Sequence, residues 1–289
     1  MSIAPHDPEF GAPNRPVFDT FGNLEVRLAE SETDILACQR LRYQVFYEEM
    51  AAQPIGDMAE KRLDYDRFDA VADHLMVIDK SGVVSGPRAL NDNSENTDQA
   101  GKVIGTYRLI RREVAEANGG FYTAGEYDIG PMLMRAGEDV NFLELGRSCV
   151  HKDHRTRPTI NMLWSGIGQY IAKHDIDVMF GCASFPGVDP KTFAQPLSYL
   201  HHNMKTPDDF HVRALDDLFV DMNMLPPEQV ERRLALSQMP PLIKGYMRAG
   251  CAFGDGAIID PQFSTVDVFV MLIIKNVEAR YFDRFGSEA

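Results

Sequence analysis

Between Phe142 and Ser184 the apolar positions change period twice with no spare residues. The run Phe142-Leu143-Glu144-Leu145-Gly146-Arg147-Ser148-Cys149-Val150 reads as a buried strand, and the two charges inside it, Glu144 and Arg147, need partners there. It breaks into His151-Lys152-Asp153-His154-Arg155-Thr156-Arg157, a loop dense in cations. Pro158 then stands where a helix takes a proline in its first turn. From Thr159 to His174 the residues Ile160, Leu163, Trp164, Ile167 and Ile171 recur at helical spacing, which assigns Trp164 to the core. Val178 to Ser184 is a second buried strand. The pattern predicts strand, basic cradle, helix, strand, with the helix starting at an anion-attracting end.

The flanking pattern is weaker but ordered. Met1 to Leu24 has prolines, glycines and no period, and is expected to be an extended or partly disordered arm whose Phe10, Phe18 and Phe21 are free to dock. Leu24–Leu28 predicts a strand. Ser31 predicts the cap of a helix running to about Met50, with Ile35, Cys38, Leu41, Val45 and Phe46 on its apolar face. A turn-rich stretch holding Asp66 and Asp69 leads to strands at Leu75–Asp79 and Val103–Arg111, joined by a polar insertion that reads as a surface loop. Val114 to Gly137 shows no clear period. Beyond the central unit the pattern predicts helices over Lys191–His202, Pro227–Gln238 and from Pro240-Pro241 to near Gly250. It also predicts a short strand at Phe210–Ala214 and a hairpin from Ala257–Ile259 and Val266–Ile274. This order predicts an α/β fold with a mixed, largely antiparallel sheet flanked by helices, as one domain over residues 25–289.

Composition narrows the function classes. With 289 residues, 44% hydrophobic and 25% charged, the chain can bury a large core. A net charge of −14 argues against nucleic acid as a partner and requires any anion to be met by a local patch. No apolar run approaches the roughly 20 residues that span a bilayer. The N-terminus lacks a basic-then-apolar signal pattern, so a cytoplasmic location is expected. Cys38, Cys149, Cys182 and Cys251 have no paired spacing, which predicts buried free thiols and no metal site.

The segments LRYQVFYEEM (Leu41 to Met50), GTYRLI (Gly105 to Ile110), ELGRSCV (Glu144 to Val150), FGCASFPGVDP (Phe180 to Pro190) and PPLIKGYMRAG (Pro240 to Gly250) resemble those of the bacterial ornithine N-acyltransferases. These are lyso-ornithine lipid synthases with an acetyltransferase-like (GNAT) fold, similar to the acyl-homoserine lactone synthases. The resemblance implies transfer of a 3-hydroxy fatty acyl group from acyl carrier protein to the α-amine of L-ornithine. The donor is then the acyl-phosphopantetheine of the carrier, and no cofactor is bound permanently. It places Arg42 and Phe46 on the first helix, Asp66 and Asp69 on a loop covering the acceptor, Arg108 on a strand, and Glu144 with Arg147 on the central strand. Ser148, Cys149 and Ser184 join them as substrate-binding residues.

In chemical terms, strand arginines beside carboxylates can hold the two charged ends of an amino acid, or can simply brace the fold. Glu144, with Asp66 behind it, is the expected base for the attacking amine, and Arg147 completes the catalytic set. Cys149 invites a covalent route, disfavoured because it has no adjacent basic partner. The loop after the central strand has no glycine between Arg155 and Ile160, unlike the usual pyrophosphate cradle of acetyltransferases. That departure favours a single phosphopantetheine phosphate, with Lys152, Arg155 and Arg157 as counter-charge for it and for an acidic carrier. A poorly soluble acyl-amino acid product implies peripheral contact with the inner face of the cytoplasmic membrane, and Lys244 and Arg248 flank a candidate patch. A lactone-forming synthase and a non-catalytic carrier-binding module remain open on these residues alone.

Overall fold

The structure is a computed structural model that describes residues 17–82 and 101–277. Residues 1–16 of the arm with Phe10, most of the polar insertion (83–100) and residues 278–289 lie outside the described residues. In chain order the elements are β1 (Asp19–Phe21), β2 (Leu24–Leu28), α1 (Glu32–Tyr43), α2 (Met58–Lys61), β3 (Asp73–Asp79), β4 (Lys102–Arg111), α3 (Arg112–Ala117), β5 (Tyr127–Asp128) and α4 (Gly130–Ala136). They continue with β6 (Phe142–Val150), α5 (Arg157–Lys173), β7 (Val178–Pro186), α6 (Ala194–Asn203), β8 (Arg213–Ala214), α7 (Arg232–Gln238), α8 (Pro241–Ala249), β9 (Ala252–Asp260) and β10 (Thr265–Ile273). The strands form one sheet in the order β1-β2-β3-β4-β6-β7-β10-β9-β8-β5.

Pairing is antiparallel except between β6 and β7 and between β8 and β9. The expected mixed, largely antiparallel sheet is therefore present. The arm differs from expectation at its end, where Asp19–Phe21 adds an edge strand to β2 and Phe18 packs on the main core. The Pro227–Gln238 segment is a 3-10 turn at Pro227–Gln229 and an α-helix only from Arg232, and β9 starts five residues before Ala257.

Alternation along the strands sends side chains to two faces. On one, α5 covers Val26, Leu75, Tyr107, Leu109 and Leu143 through Met162, Leu163 and Ile167. Thr156 caps this helix, its hydroxyl facing the Thr159 N–H, with Pro158 in the first turn, so the helix begins two residues earlier than its apolar period shows. A Cβ on Gly166 would come within 2.8 Å of Val26 and 2.9 Å of Leu75, so glycine there lets the helix lie close to the sheet. On the other face lies α1, capped by Ser31 through the Asp34 N–H. It runs on as a π-helical stretch, Gln44–Glu49, of the kind that re-aims side chains near sites.

The feature that positions the site is the parting of β6 from β7. Their parallel pairing covers only Phe142↔Val178, Leu143↔Met179 and Glu144↔Phe180. Past that point β6 stays paired with β4 and β7 stays paired with β10, leaving a V-shaped gap between the two central strands. At its apex a Cβ on residue 181 would meet the Leu145 carbonyl oxygen at 2.3 Å, so only glycine fits at Gly181.

Candidate active site

Four acidic and basic elements converge on the α1 face beside this gap. Arg42, almost fully buried, donates from Nε to Asp64 at 2.7 Å and from one terminal nitrogen to Asp69 at 2.6 Å; its other terminal nitrogen reaches the Asp64 carbonyl at 2.6 Å. Burial works against the Arg42 charge, but Asp69 and Asp64 outweigh it and raise its pKa. Burial likewise opposes ionisation of Asp69, yet Arg42 and Arg108 hold its carboxyl well below the usual range. Tyr47 donates to Asp64 at 2.9 Å, and the buried His74 sits against the Asp69 carbonyl at 3.0 Å. This inner group is a brace that fixes the loop carrying Asp64 to Asp69 onto α1, with Arg108 and Arg147 each 3.5 Å from one of its carboxylates. Arg42 and Asp69, named from sequence as substrate contacts, belong to that brace. Asp64, missed from sequence, is its hinge.

The outer layer faces the gap. Arg108 donates to Asp66 at 2.6 Å, and Arg147 reaches the other Asp66 oxygen at 3.1 Å and stands 3.5 Å from Asp64. Arg147 owes its direction to a β-bulge. Thr106 opposes Cys149 and Arg108 opposes Gly146, so β6 carries one residue more than β4 there, and Arg147 has a φ of +50°. Strict alternation would have sent its side chain to the α5 face. The bulge turns it toward Arg108 and Glu144 instead, in a backbone conformation that non-glycine residues rarely hold. Its guanidinium is flanked by the rings of Tyr122 (4.9 Å) and Phe263 (4.8 Å), and its buried Nε has no hydrogen-bond partner.

Several expected site residues are placed elsewhere. Both Glu144 oxygens accept backbone N–H bonds, from Tyr122 at 2.9 Å and Thr123 at 2.6 Å, and the side chain is buried. Burial raises its pKa, but its lone pairs are spent on holding the Tyr122 turn in place. That makes Glu144 a brace for the Tyr122 turn. Cys149 packs among Leu41 and Val45 of the first helix, where burial pushes its thiol far up, so a covalent step through it has no physical support. Ser148 lies on the opposite face beside Tyr107. Phe46 packs edge-on to Phe263, 5.5 Å between ring centres, and so helps hold the ring that covers Arg147. Ser184 is exposed on β7, opposite Asp267.

Three carboxylates that were not singled out in the sequence lie across the gap from Arg147. Glu126 follows the Tyr122 turn and accepts from the Cys182 thiol at 3.1 Å; burial lifts its pKa to about 7. Asp267 on β10 is lifted to about 6, also by burial, and its Oδ1 has no hydrogen-bond partner. Asp260 caps the β9–β10 turn by accepting from the N–H groups of Gln262 (2.8 Å) and Phe263 (2.9 Å). Tyr122 stands between the two charge signs, within range of both Arg147 and Glu126.

On the α5 face the gap opens into an apolar cleft of about 40 Å³ lined by Leu145, Trp164, Met179, Tyr246, Cys251 and Leu272. Trp164, assigned to the core from its period, is half-buried there, edge-on to Tyr246. At the end of β6 the basic loop leads to the N-terminus of α5. Lys152 and Arg157 are exposed, whereas Arg155 is tied to Glu49 and to the Val150 carbonyl.

Residues 41–165 match the Acetyltransferase (GNAT) domain family. The chain is 45% identical to the L-ornithine N(alpha)-acyltransferase of Rhizobium meliloti (strain 1021), over 96% of this chain and 89% of that one. It is 41% identical to the protein of that name from Rhodobacter capsulatus, over 86% and 90%. Among solved structures, the AHL synthase LasI is a loose likeness, with a TM-score of 0.42 and 12% identity over 86% of this chain and 89% of that chain. Identity of this extent over nearly the whole chain places it in the L-ornithine N(alpha)-acyltransferase family, as an acyltransferase built on the GNAT fold.

Proposed function

We propose that the chain moves a 3-hydroxy fatty acyl group from acyl carrier protein to the α-amine of L-ornithine, the first step in making an ornithine lipid. What supports this most is that the gap between β6 and β7 has an apolar cleft on one face and, on the other, Arg147 opposite carboxylates. That arrangement suits an acyl thioester meeting an amino acid. The guanidinium fork of Arg147 takes the α-carboxylate and so points the amine at the gap. An ammonium cannot attack, and Glu126, half ionised near pH 7 and beside the gap, is the base in this reading. Asp66, already shared by Arg108 and Arg147, orients the latter. The amine then attacks the thioester carbon, the amide forms, and the carrier's thiol leaves. The edge of β6 that β7 leaves unpaired past Glu144 supplies N–H groups to the oxyanion. The acyl-phosphopantetheine is a substrate, and the reading needs no resident cofactor.

The test is release of carrier thiol from 3-hydroxyacyl carrier protein by purified protein with L-ornithine, with the amide identified by mass spectrometry. The rate should rise with pH through about 7, and the Glu126→Gln variant should lose that limb. No amide, or a released lactone, would refute the assignment.

The same reading puts the carrier on the basic loop. Reversing two of the loop's exposed cations (Lys152→Glu with Arg157→Glu) should lower kcat/KM for the acyl carrier protein by roughly tenfold or more at low salt. The deficit should shrink at 0.5 M salt, and a small acyl-pantetheine donor should be used as before. Equal loss with both donors would show instead that the loop serves the chemistry directly. For product release we propose peripheral contact through α8, where Ile243 is buried while Leu242 and Arg248 are exposed. No helix among the described residues is long and apolar enough to cross a membrane. Lys244→Glu with Arg248→Glu should reduce flotation with anionic vesicles most at low salt; undiminished flotation would count against this surface.

A further inference from the structure

The acidic side of the site contains an anomaly that acyl transfer to a simple amino acid leaves unexplained. Asp267 is 7% exposed, yet its Oδ1 has no hydrogen-bond partner, and neither has the neighbouring Thr265 Oγ1. Thr265 and Asp267 alternate on β10, so both point to the Arg147 face, alongside Ser184 and Cys182 of β7 and Asp260 of β9. Ser184 and Thr265 lie close to the Asp267 carboxyl, but Oδ1 itself remains open. A buried oxygen left this way costs the fold a hydrogen bond's worth of desolvation or more, and such groups are kept where a ligand completes them. The local charge is also lopsided. Asp260 and Glu126 share the recess with Asp267, and Arg147 acts on Asp267 from across the gap. Among the described residues no group of acidic, His or Cys side chains is arranged to hold a metal ion. The fitting occupant is an organic cation that donates several hydrogen bonds.

We propose that Asp267, supported by Thr265, holds the side-chain ammonium of the acceptor, so that this recess selects a diamino acid over a neutral amino acid. The inference deepens the ornithine reading above and rests on it. Arg147 fixes one end of the acceptor and Asp267 the other, and the α-amine between them lies at the gap. A neutral side chain leaves the buried oxygen unmatched. That penalty discriminates more strongly than a change in apolar size, because the site's own polar group stays unpaired.

The experiment compares L-ornithine with L-2-aminopentanoate, the same skeleton without the side-chain amine, under saturating 3-hydroxyacyl carrier protein. The wild-type protein should favour ornithine by at least about a hundredfold in kcat/KM. In Asp267→Asn the preference should fall to within about tenfold, chiefly through a higher KM for ornithine. A binding readout that needs no variant goes with it: ornithine should raise the Tm of the wild-type protein and 2-aminopentanoate should not. A folded Asp267→Asn protein that keeps the wild-type preference overturns the assignment, as does a wild-type protein stabilised equally by both compounds. Wild-type protein that acylates ornithine but does not discriminate refutes only the recess. Wild-type protein that acylates neither refutes the ornithine reading and the recess with it.

Discussion

Arg147→Met should lower kcat/KM for the amino-acid acceptor by roughly a thousandfold, with most of the loss in acceptor KM and little change in the KM of the acyl donor. The figure follows from the surroundings. Removing one partner of a buried ion pair costs about 3–5 kcal/mol, and about 1.4 kcal/mol is a factor of ten. Asp66 would keep Arg108, so the loop stays closed, but the acceptor's carboxylate would face a thioether between Tyr122 and Phe263. Arg147→Lys should recover only part of the activity, because an ammonium lacks the planar fork and stacks less well between the rings. Both variants should remain folded, since the inner brace of Arg42, Asp64 and Asp69 is untouched. An Arg147→Met protein with normal acceptor KM would remove Arg147 from the acceptor site.

The second large effect concerns stability. Asp267→Asn should make the protein more stable at pH 8, by about 3 kcal/mol, and leave its stability nearly unchanged near pH 4. A carboxyl whose pKa rises from 3.8 to about 6 on folding binds its proton more tightly in the folded state. Its burial penalty is therefore absent below the unfolded pKa, grows as pH rises through 4 to 6, and is complete above that. Asn, which never ionises, escapes it. The comparison of variant with wild type isolates this group from Asp69, which Arg42 and Arg108 hold low and whose contribution is lost on acidification. Glu126 and Asp260 repel the Asp267 charge, so relief of that repulsion in the variant adds to the gain at high pH, while the lost attraction to Arg147 subtracts from it. Thermal melts at pH 4, 6 and 8 give the answer, and a gain independent of pH would mean that folding does not shift the Asp267 carboxyl at all. A residue that lowers stability at the working pH while its replacement impairs selectivity marks a functional group.

The central unit was legible because it is built from long apolar runs whose period changes sharply. β6 occupies the predicted residues, and β7 continues only two beyond Ser184. The charged residues of α1, the Asp66 loop, β4 and β6 do converge. Their division into a closed brace and an open layer was not legible, because it depends on which guanidinium reaches which carboxylate across tens of residues. Arg147 shows the limit most clearly. Its backbone turns left-handed at a bulge, and the bulge exists only because β4 is one residue shorter across from it. Glu126 fell in a stretch with no period. Asp267 did carry a signal, since a lone acid inside the apolar run Val266 to Ile274 is the same anomaly that drew attention to Glu144 and Arg147.

The ring that covers Arg147 comes from the far end of the chain. Phe263 sits in the β9–β10 turn, where Gln262 donates to Tyr47 at 3.0 Å and its carbonyl accepts from the Gln53 N–H at 2.7 Å. Residues 46–53 are thus fastened to residues 260–263 across more than 200 positions of sequence. During synthesis the brace and the central unit leave the ribosome long before this fastener, and β7 waits with its outer edge unpaired until β10 arrives. The covered face of Arg147 is consequently among the last parts of the protein to form. Until that moment the nascent chain has its basic loop but no ring over the Arg147 guanidinium.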